Sequence, residues 1–403
     1  MAQSATTQLA LNGGTPVRGP DKFWPAWPVF DDAERTAVNQ VLESGKWWYG
    51  ERVAQFERDY AAFQDAAHCV TCTSGTSAAE VALQLIGVGP GDEVIAPPYT
   101  FIATASSIMR VGGTPVFVDV DDSWCMDPEA IESAITPRTK AIVPVHFGGR
   151  VADMDRINAI AQKHGVTVLE DACHSWGGKW KNKGTGALGR GGVFSFQMSK
   201  NITAGEGGAI LSDDEAFAEA CRAVTNCGRV KGSEWYAHAL LGTNARMTEF
   251  AAAILSAQLG RLEQQTLLRE RNAAILNREL AAIEGLIPQP GDDRITRRAY
   301  HLYCLRIDPG AFGCSRDQFI AAAQAEGLPI GAGYGAPLYK QPLFEQSGSG
   351  FDYSTCHCPV TEDLCYRSGI WFIHSMLLAS EDDMRDIVAI ARKIKDNASE
   401  LNA

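Results

Sequence analysis

Between residues 69 and 211 the chain alternates short apolar runs with amphipathic stretches, and this alternation limits the possible folds more than any other feature. The runs Cys69–Thr73, Glu93–Ala96, Pro115–Val120, Lys140–His146, Thr167–Asp171, Gly192–Gln197 and Gly208–Leu211 are mostly rich in β-branched residues. Gly, Pro or Asp bounds most of them, so each is predicted to be a strand. Helical spacing fills several of the gaps. Ala78, Val81, Ala82, Leu85 and Ile86 share one helical face, and Met154, Ile157 and Ala161 share another that stops at Gly165. Strand and helix in alternation imply the α/β class, with a mainly parallel mixed sheet flanked by helices.

The texture changes further on. A long helix is predicted around Met247–Leu280, with Leu255, Leu259 and Leu262 spaced four and three apart. Past Pro288-Gln289-Pro290-Gly291, Tyr300–Ile307 reads as a strand, and Arg316–Glu326 and Glu381–Lys395 read as helices. The expected division is a large α/β domain over 1–280, with an N-terminal arm, and a smaller α+β domain over 281–403. A chain of 403 residues, 45% of them hydrophobic, can bury a core of that size.

Charge excludes some classes of partner. A formal net charge of -12 repels nucleic acid and anionic membrane, so neither is expected. No apolar run nears the roughly 18 residues needed to cross a bilayer, and Met1–Ala5 has no signal-like pattern, so a cytoplasmic location is expected. Eleven cysteines, an odd number scattered along a long chain, do not form a disulfide framework. Cys69 and Cys72 match half of a zinc or redox site, but they fall in an apolar run without a second pair and read as core. Cys356-His357-Cys358 reads as loop, and Asp119, Asp121 and Asp122 as a strand exit, so no metal site is expected.

Three segments carry chemistry. Thr73-Ser74-Gly75-Thr76-Ser77-Ala78 joins a strand to an amphipathic helix. A helix start offers unpaired N–H groups and a positive dipole end, Gly75 allows close backbone approach, and the hydroxyls add donors. That describes a phosphate cradle, and it equally describes an ordinary helix cap. Glu170-Asp171-Ala172-Cys173-His174 lies at the carboxyl end of a strand, the edge where open α/β sheets bind ligands. An acid there can pair with a protonated ring nitrogen, or simply cap the next turn. In Phe194–Gly208, alternation puts Phe194 and Phe196 on one face and Ser195 and Gln197 on the other, and Lys200 falls just past the strand end. Hydroxyl, apolar and glycine residues surround this lysine, with no other charge before Glu206. Such surroundings lower a lysine's proton affinity and suit it to form an imine and to act as a base.

Gly184-Thr185-Gly186-Ala187-Leu188-Gly189 matches a dinucleotide fingerprint letter for letter. It follows a polar run and leads into a strand, the reverse of the context that fingerprint needs. Trp47, Trp48 and Tyr49 could wall a substrate pocket or pack into the core.

Together these segments resemble the DegT-type sugar and cyclitol aminotransferases, pyridoxal 5′-phosphate (PLP) enzymes of aminotransferase fold type I. Further elements carry the likeness: Gly89–Ile95, Pro98-Tyr99-Thr100-Phe101, Thr136–Ile142, Asn244-Ala245-Arg246-Met247 and, more loosely, His301-Leu302-Tyr303. The resemblance implies that Lys200 holds the cofactor covalently and that Asp171 meets the pyridine nitrogen. It implies phosphate contacts from Gly75, Thr76, Ser77 and Ser195, a ring cover from Phe101 or else Tyr99, and His174 beside the ring hydroxyl. Asn244 would reach the phosphate of a partner subunit, which implies a homodimer with shared active sites. The run Ser195–Lys200 followed by Thr203–Gly208 looks closest to the glutamine-dependent scyllo-inosose-type aminotransferases and their aromatic amino-acid synthase relatives. Cys173, where Ala is frequent, and His146-Phe147-Gly148-Gly149 depart from the family's usual residues and bear on the substrate.

The implied function is transfer of an amino group from L-glutamine or L-glutamate to a keto-cyclitol or keto-sugar by a ping-pong route. Lys200 would serve as base and then acid. The alternatives are a PLP-dependent sugar dehydratase, in which histidine replaces the lysine, and a non-enzymatic PLP-binding regulator.

Overall fold

The computed structural model describes residues 8–234, 236–345 and 351–402. All seven predicted central strands form, and they join one sheet. They are β1 (His68–Cys72), β2 (Glu93–Ala96), β3 (Thr114–Phe117), β4 (Thr139–Ile142), β5 (Thr167–Asp171), β6 (Gly191–Ser195) and β7 (Gly208–Ser212). Their spatial order is β1-β7-β6-β5-β4-β2-β3. The pairings β2 with β3, β2 with β4, β4 with β5 and β5 with β6 are parallel. β7 alone runs the other way, between β6 and β1. Parallel neighbours need crossover connections, and the helices that make them cover the sheet.

Strand alternation sorts side chains to two faces. Val70, Val94, Leu169, Val193 and Ile210 pack with the helices Gly75–Ile86 and Glu215–Thr225. On the other face Cys69, Phe194, Ala209 and Leu211 pack with Phe56, Tyr60 and the start of the 33-residue helix Glu249–Ala281. Cys69 and Cys72 are therefore core residues on opposite faces.

A second sheet of three strands, β8 (Leu286–Pro288), β9 (Leu302–Ile307) and β10 (Gly369–Ile373), is antiparallel throughout. Its core takes in Tyr303, Leu305 and Phe372, the helices Arg316–Ala325 and Glu381–Asp396, and the end of the long helix. Leu9 belongs to the same cluster, and the Arg18 amide donates to the Glu326 carbonyl at 3.0 Å. The N-terminal stretch thus packs against C-terminal elements. β10 escapes a sequence reading because its five residues follow directly on a helical stretch over 359–368 and are too few to show a period. Among the described residues no helix is long and apolar enough to cross a membrane.

Candidate active site

β1, β2, β5 and β6 point the same way, so the segments that follow them gather at one edge of the sheet. There a cavity of about 610 Å³ opens. From the central sheet it is lined by Ser74, Gly75 and Thr76 after β1, Phe101 and Thr104 after β2, Asp171 and His174 at β5, and Ser195 and Lys200 at β6. His301, Tyr334, Trp371 and Ile373 close it from the side of the second sheet.

The phosphate-cradle segment is a real helix start. Ser74 caps the helix Gly75–Ile86, and its hydroxyl accepts the Ser77 amide at 3.1 Å. A Cβ on Gly75 would sit 2.8 Å from Ser195 Cβ and 3.1 Å from Cys173 Sγ, so only glycine lets the turn pass here. Thr76 lines the cavity. Ser77 does not, and its hydroxyl lies 3.0 Å from that of Ser74.

Asp171 ends β5 and is 9% exposed. Its Oδ2 accepts a 2.7 Å hydrogen bond from Thr104 Oγ1, and its Oδ1 accepts the Cys173 amide at 3.2 Å. Thr104 Oγ1 in turn lies 3.0 Å from Thr100 Oγ1. A buried carboxylate served by two donors keeps lone pairs for a cationic N–H.

Lys200 sits in the turn after β6, where its amide donates to the Gln197 carbonyl at 2.9 Å. Its Nζ lies 5.7 Å from the centroid of the Trp176 ring. Burial lowers the proton affinity of this amine, and the neighbouring Cys173 and Asp171 pull it partly back. His174 is buried, 4.3 Å from the His301 ring by centroids, and burial together with Lys200 holds it well below the usual histidine range.

The structure separates the two candidates for the ring cover. Phe101 is 58% exposed and lines the cavity, whereas Tyr99 is buried edge-on against Trp124, Phe147 and Tyr334. Asn244 is exposed and does not line the cavity of its own chain. Trp47 and Trp48 are neither core nor cavity wall, being 51% and 64% exposed.

The residues Gly184–Gly189 fold around a buried side chain. Gly186, Leu188 and Gly189 donate their amides to the buried Glu170 carboxylate, at 2.7, 2.7 and 3.0 Å. His146 completes the shell with Nε2 at 3.0 Å, while its Nδ1 accepts the Ala152 amide. The glycines therefore wrap an internal anion next to Asp171.

Thr104, Tyr334, Trp371 and Ile373 are absent from the sequence-based site. A signal for Thr104 was present, because Thr100 and Thr104 lie four apart just past a strand end. The other three come from β10 and a distant loop, and only tertiary packing brings them to the edge.

A model of the DegT/DnrJ/EryC1/StrS aminotransferase family matches residues 28–392. The chain is 41% identical over 369 residues to the 3-amino-5-hydroxybenzoate synthase of Amycolatopsis mediterranei, covering 90% of this chain and 94% of that protein. It is 39% identical over 427 aligned positions to an L-glutamine:2-deoxy-scyllo-inosose aminotransferase of Streptoalloteichus tenebrarius, covering 98% and 99%. Among solved structures, 3-amino-5-hydroxybenzoic acid synthase superposes with a TM-score of 0.86 at 38% identity, covering 94% of this chain and 99% of that one. An aminotransferase from Psychrobacter cryohalolentis superposes with a TM-score of 0.87 at 31% identity, covering 93% and 99%. The chain belongs to the DegT/DnrJ/EryC1/StrS aminotransferase family and is a PLP-dependent aminotransferase.

Proposed function

We propose that this aminotransferase moves the amino group of L-glutamine to a free, uncharged keto-cyclitol by a ping-pong route. The observation that carries the choice of acceptor is the charge of the cavity wall. Among the described residues that line it, Lys200, His174 and His301 are the basic side chains, and there is no arginine. A nucleotide-linked sugar brings a pyrophosphate that calls for cationic partners. A cyclitol needs hydroxyl and aromatic neighbours, and Phe101, Tyr334 and Trp371 offer an apolar wall of that kind. Glutamine suits the same wall better than glutamate, since its side-chain amide needs no second cation. The names of the Streptoalloteichus relative and others like it agree with this donor and acceptor class.

The residues fit the cofactor. Gly75 lines the cavity at the start of a helix, and Thr76 and Ser195 add hydroxyls at the positive end of the helix dipole, which suits a phosphate. Asp171 suits a protonated pyridine nitrogen, His174 the ring hydroxyl, and Phe101 a ring face. Ser77 supports the turn through Ser74. When bound, PLP supplies an electron sink for the carbanion at the donor's α-carbon.

The chain supplies the rest. Asp171, held by Thr104, would pair with the ring nitrogen. Lys200, poised toward its neutral form by burial, would be the covalent holder, and once released its Nζ would take the proton from the donor's α-carbon and hand it to the cofactor within the same half-reaction, the transfer running in reverse with the acceptor. Exposed Asn244 reaches the phosphate site of a second copy, so the working unit is a homodimer with shared active sites. Residues 1–280 act as the large cofactor domain and 281–403 as the smaller one.

The test is spectroscopic. L-glutamine added to the yellow protein should bleach the visible band, and a keto-cyclitol should restore it. Bleaching that only nucleotide-linked keto-sugars reverse would overturn the assignment of the acceptor. A spectrum unmoved by every amino donor would favour a regulator that only binds PLP.

A further inference from the structure

Two histidines reach the lysine segment from the second sheet. His301 directly precedes β9 and His374 directly follows β10, and the His374 amide donates to the His301 carbonyl at 3.1 Å. His301 Nδ1 lies 3.0 Å from Asn201 Oδ1. His374 Nε2 lies 3.0 Å from the Ser199 carbonyl oxygen. The residues on either side of Lys200 are thus each held by an imidazole.

Behind His374 stands Arg269, on the long helix and fully buried. Its guanidinium meets no carboxylate among the described residues. Nη2 lies 3.3 Å from His374 Nδ1 and 3.4 Å from Gln265 Oε1, while Nε and Nη1 have no hydrogen-bond partner among the described residues. The ring of Trp27 lies 5.9 Å from its central carbon. Burial lowers its proton affinity to about 9, which still leaves a cation at neutral pH. An unpaired buried cation is destabilising, and an apolar side chain of similar size would serve packing better.

Its chemistry suggests what the arginine does. A guanidinium only donates, so His374 Nδ1 must accept. The ring proton is then fixed on Nε2, which is the atom that must donate to the Ser199 carbonyl. A cationic His374 is excluded as well, because Nδ1–H would face an N–H of Arg269. We propose that Arg269 and His374 are positioning residues for Lys200, with Arg269 locking the imidazole in the one tautomer that anchors the lysine's own segment. Without the lock the ring can adopt the other tautomer, the Ser199 carbonyl loses its donor, and Nζ loses its fixed place between its two tasks. A misplacement of about 1 Å can cost on the order of a hundredfold in rate.

The inference rests on Lys200 being the covalent holder. The experiment uses the loaded enzyme and reads three things: kcat, KM for L-glutamine, and the pH midpoint of the visible absorption band. Arg269→Met should lower kcat about tenfold or more, leave KM within about twofold, and shift the midpoint. Arg269→Lys, also a pure donor, should keep both kcat and midpoint close to wild type. His374→Phe should match Arg269→Met, and the double variant should be no worse than the poorer single, because the two residues act as one unit. Wild-type kcat and midpoint in Arg269→Met, or effects that multiply in the double variant, would overturn the proposal. Should Arg269→Met not fold, His374→Gln decides: it keeps a donor for Ser199 and should retain most of kcat, and a collapse to the His374→Phe level would overturn the proposal. Borohydride reduction of the wild type tests the underlying reading separately. An adduct away from Lys200 removes that reading, whereas an adduct at Lys200 with unmoved variants removes only this one.

Discussion

Thr104 Oγ1 donates to Asp171 Oδ2 at 2.7 Å, and the two residues come from segments following different strands. The hydroxyl fixes one carboxylate oxygen, and the Cys173 amide holds the other at 3.2 Å, so the group is oriented at the cavity edge. Removing it as Thr104→Val should loosen the cofactor by about 1.5–3 kcal/mol, the range for a hydrogen bond to a charged group. Thr104→Ser should bind nearly as well as wild type. Asp171→Ala should retain cofactor poorly and lose most activity. Equilibrium dialysis of PLP checks the series, and equal affinity in the Val and Ser variants would refute the role of the hydroxyl.

Lys200→Ala should abolish turnover and the borohydride-reducible adduct while PLP still binds without a covalent bond. Mass mapping after reduction reads the adduct, and normal turnover in the variant would refute the assignment.

The pH dependence of the cofactor-free protein follows from the burial of Lys200. Burial lowers its proton affinity below that of a free lysine, so the folded state carries a penalty that is complete below the folded-state value. The penalty fades as pH climbs toward the ordinary lysine value of about 10.4. Lys200→Met should therefore raise the unfolding midpoint of the cofactor-free protein at pH 7, with the gain shrinking toward pH 10. Denaturant melts across that range measure it, and a gain that grows with pH would contradict the sign.

Glu170→Ala leaves three amides and His146 without their buried acceptor. The loss of one partner from a buried charged cluster costs about 3–5 kcal/mol, visible in urea unfolding. A change below about 1 kcal/mol would show that the glycine loop refolds around another acceptor.

Shared sites can be tested by mixing two inactive proteins, Lys200→Ala and Asn244→Ala. A mixed dimer holds one site with an intact lysine and an intact partner asparagine. Random pairing should then restore about a quarter of wild-type activity, half the dimers each carrying one good site. No recovery after exchange of subunits would exclude a contribution of Asn244 across the interface.

The central fold was legible because its signals are local. Each strand from Cys69 to Leu211 declares itself by a short apolar run with punctuation, and Gly165 stops its helix in the left-handed conformation the sequence implied. Lys200, Asp171 and Gly75 were expected together for the same reason, each lying at or just past a strand end, and the structure places all three on one cavity. The dinucleotide-like glycines were set aside on context, but the partner they meet in the structure, Glu170, lies more than a dozen residues away and was not readable.

Local pattern is enough for the α/β frame and for the residues at the strand ends, because periodicity and turn chemistry act over a few neighbours. Tertiary structure alone decided the far wall of the cavity, the exposure of Phe101 at it while Tyr99 is buried, and the placing of Arg269 behind His374. Those depend on which distant elements share a volume once the sheet has twisted and the long helix has packed. No local pattern encodes that, since packing of non-neighbouring segments is settled only by the burial and hydrogen bonding of the whole chain.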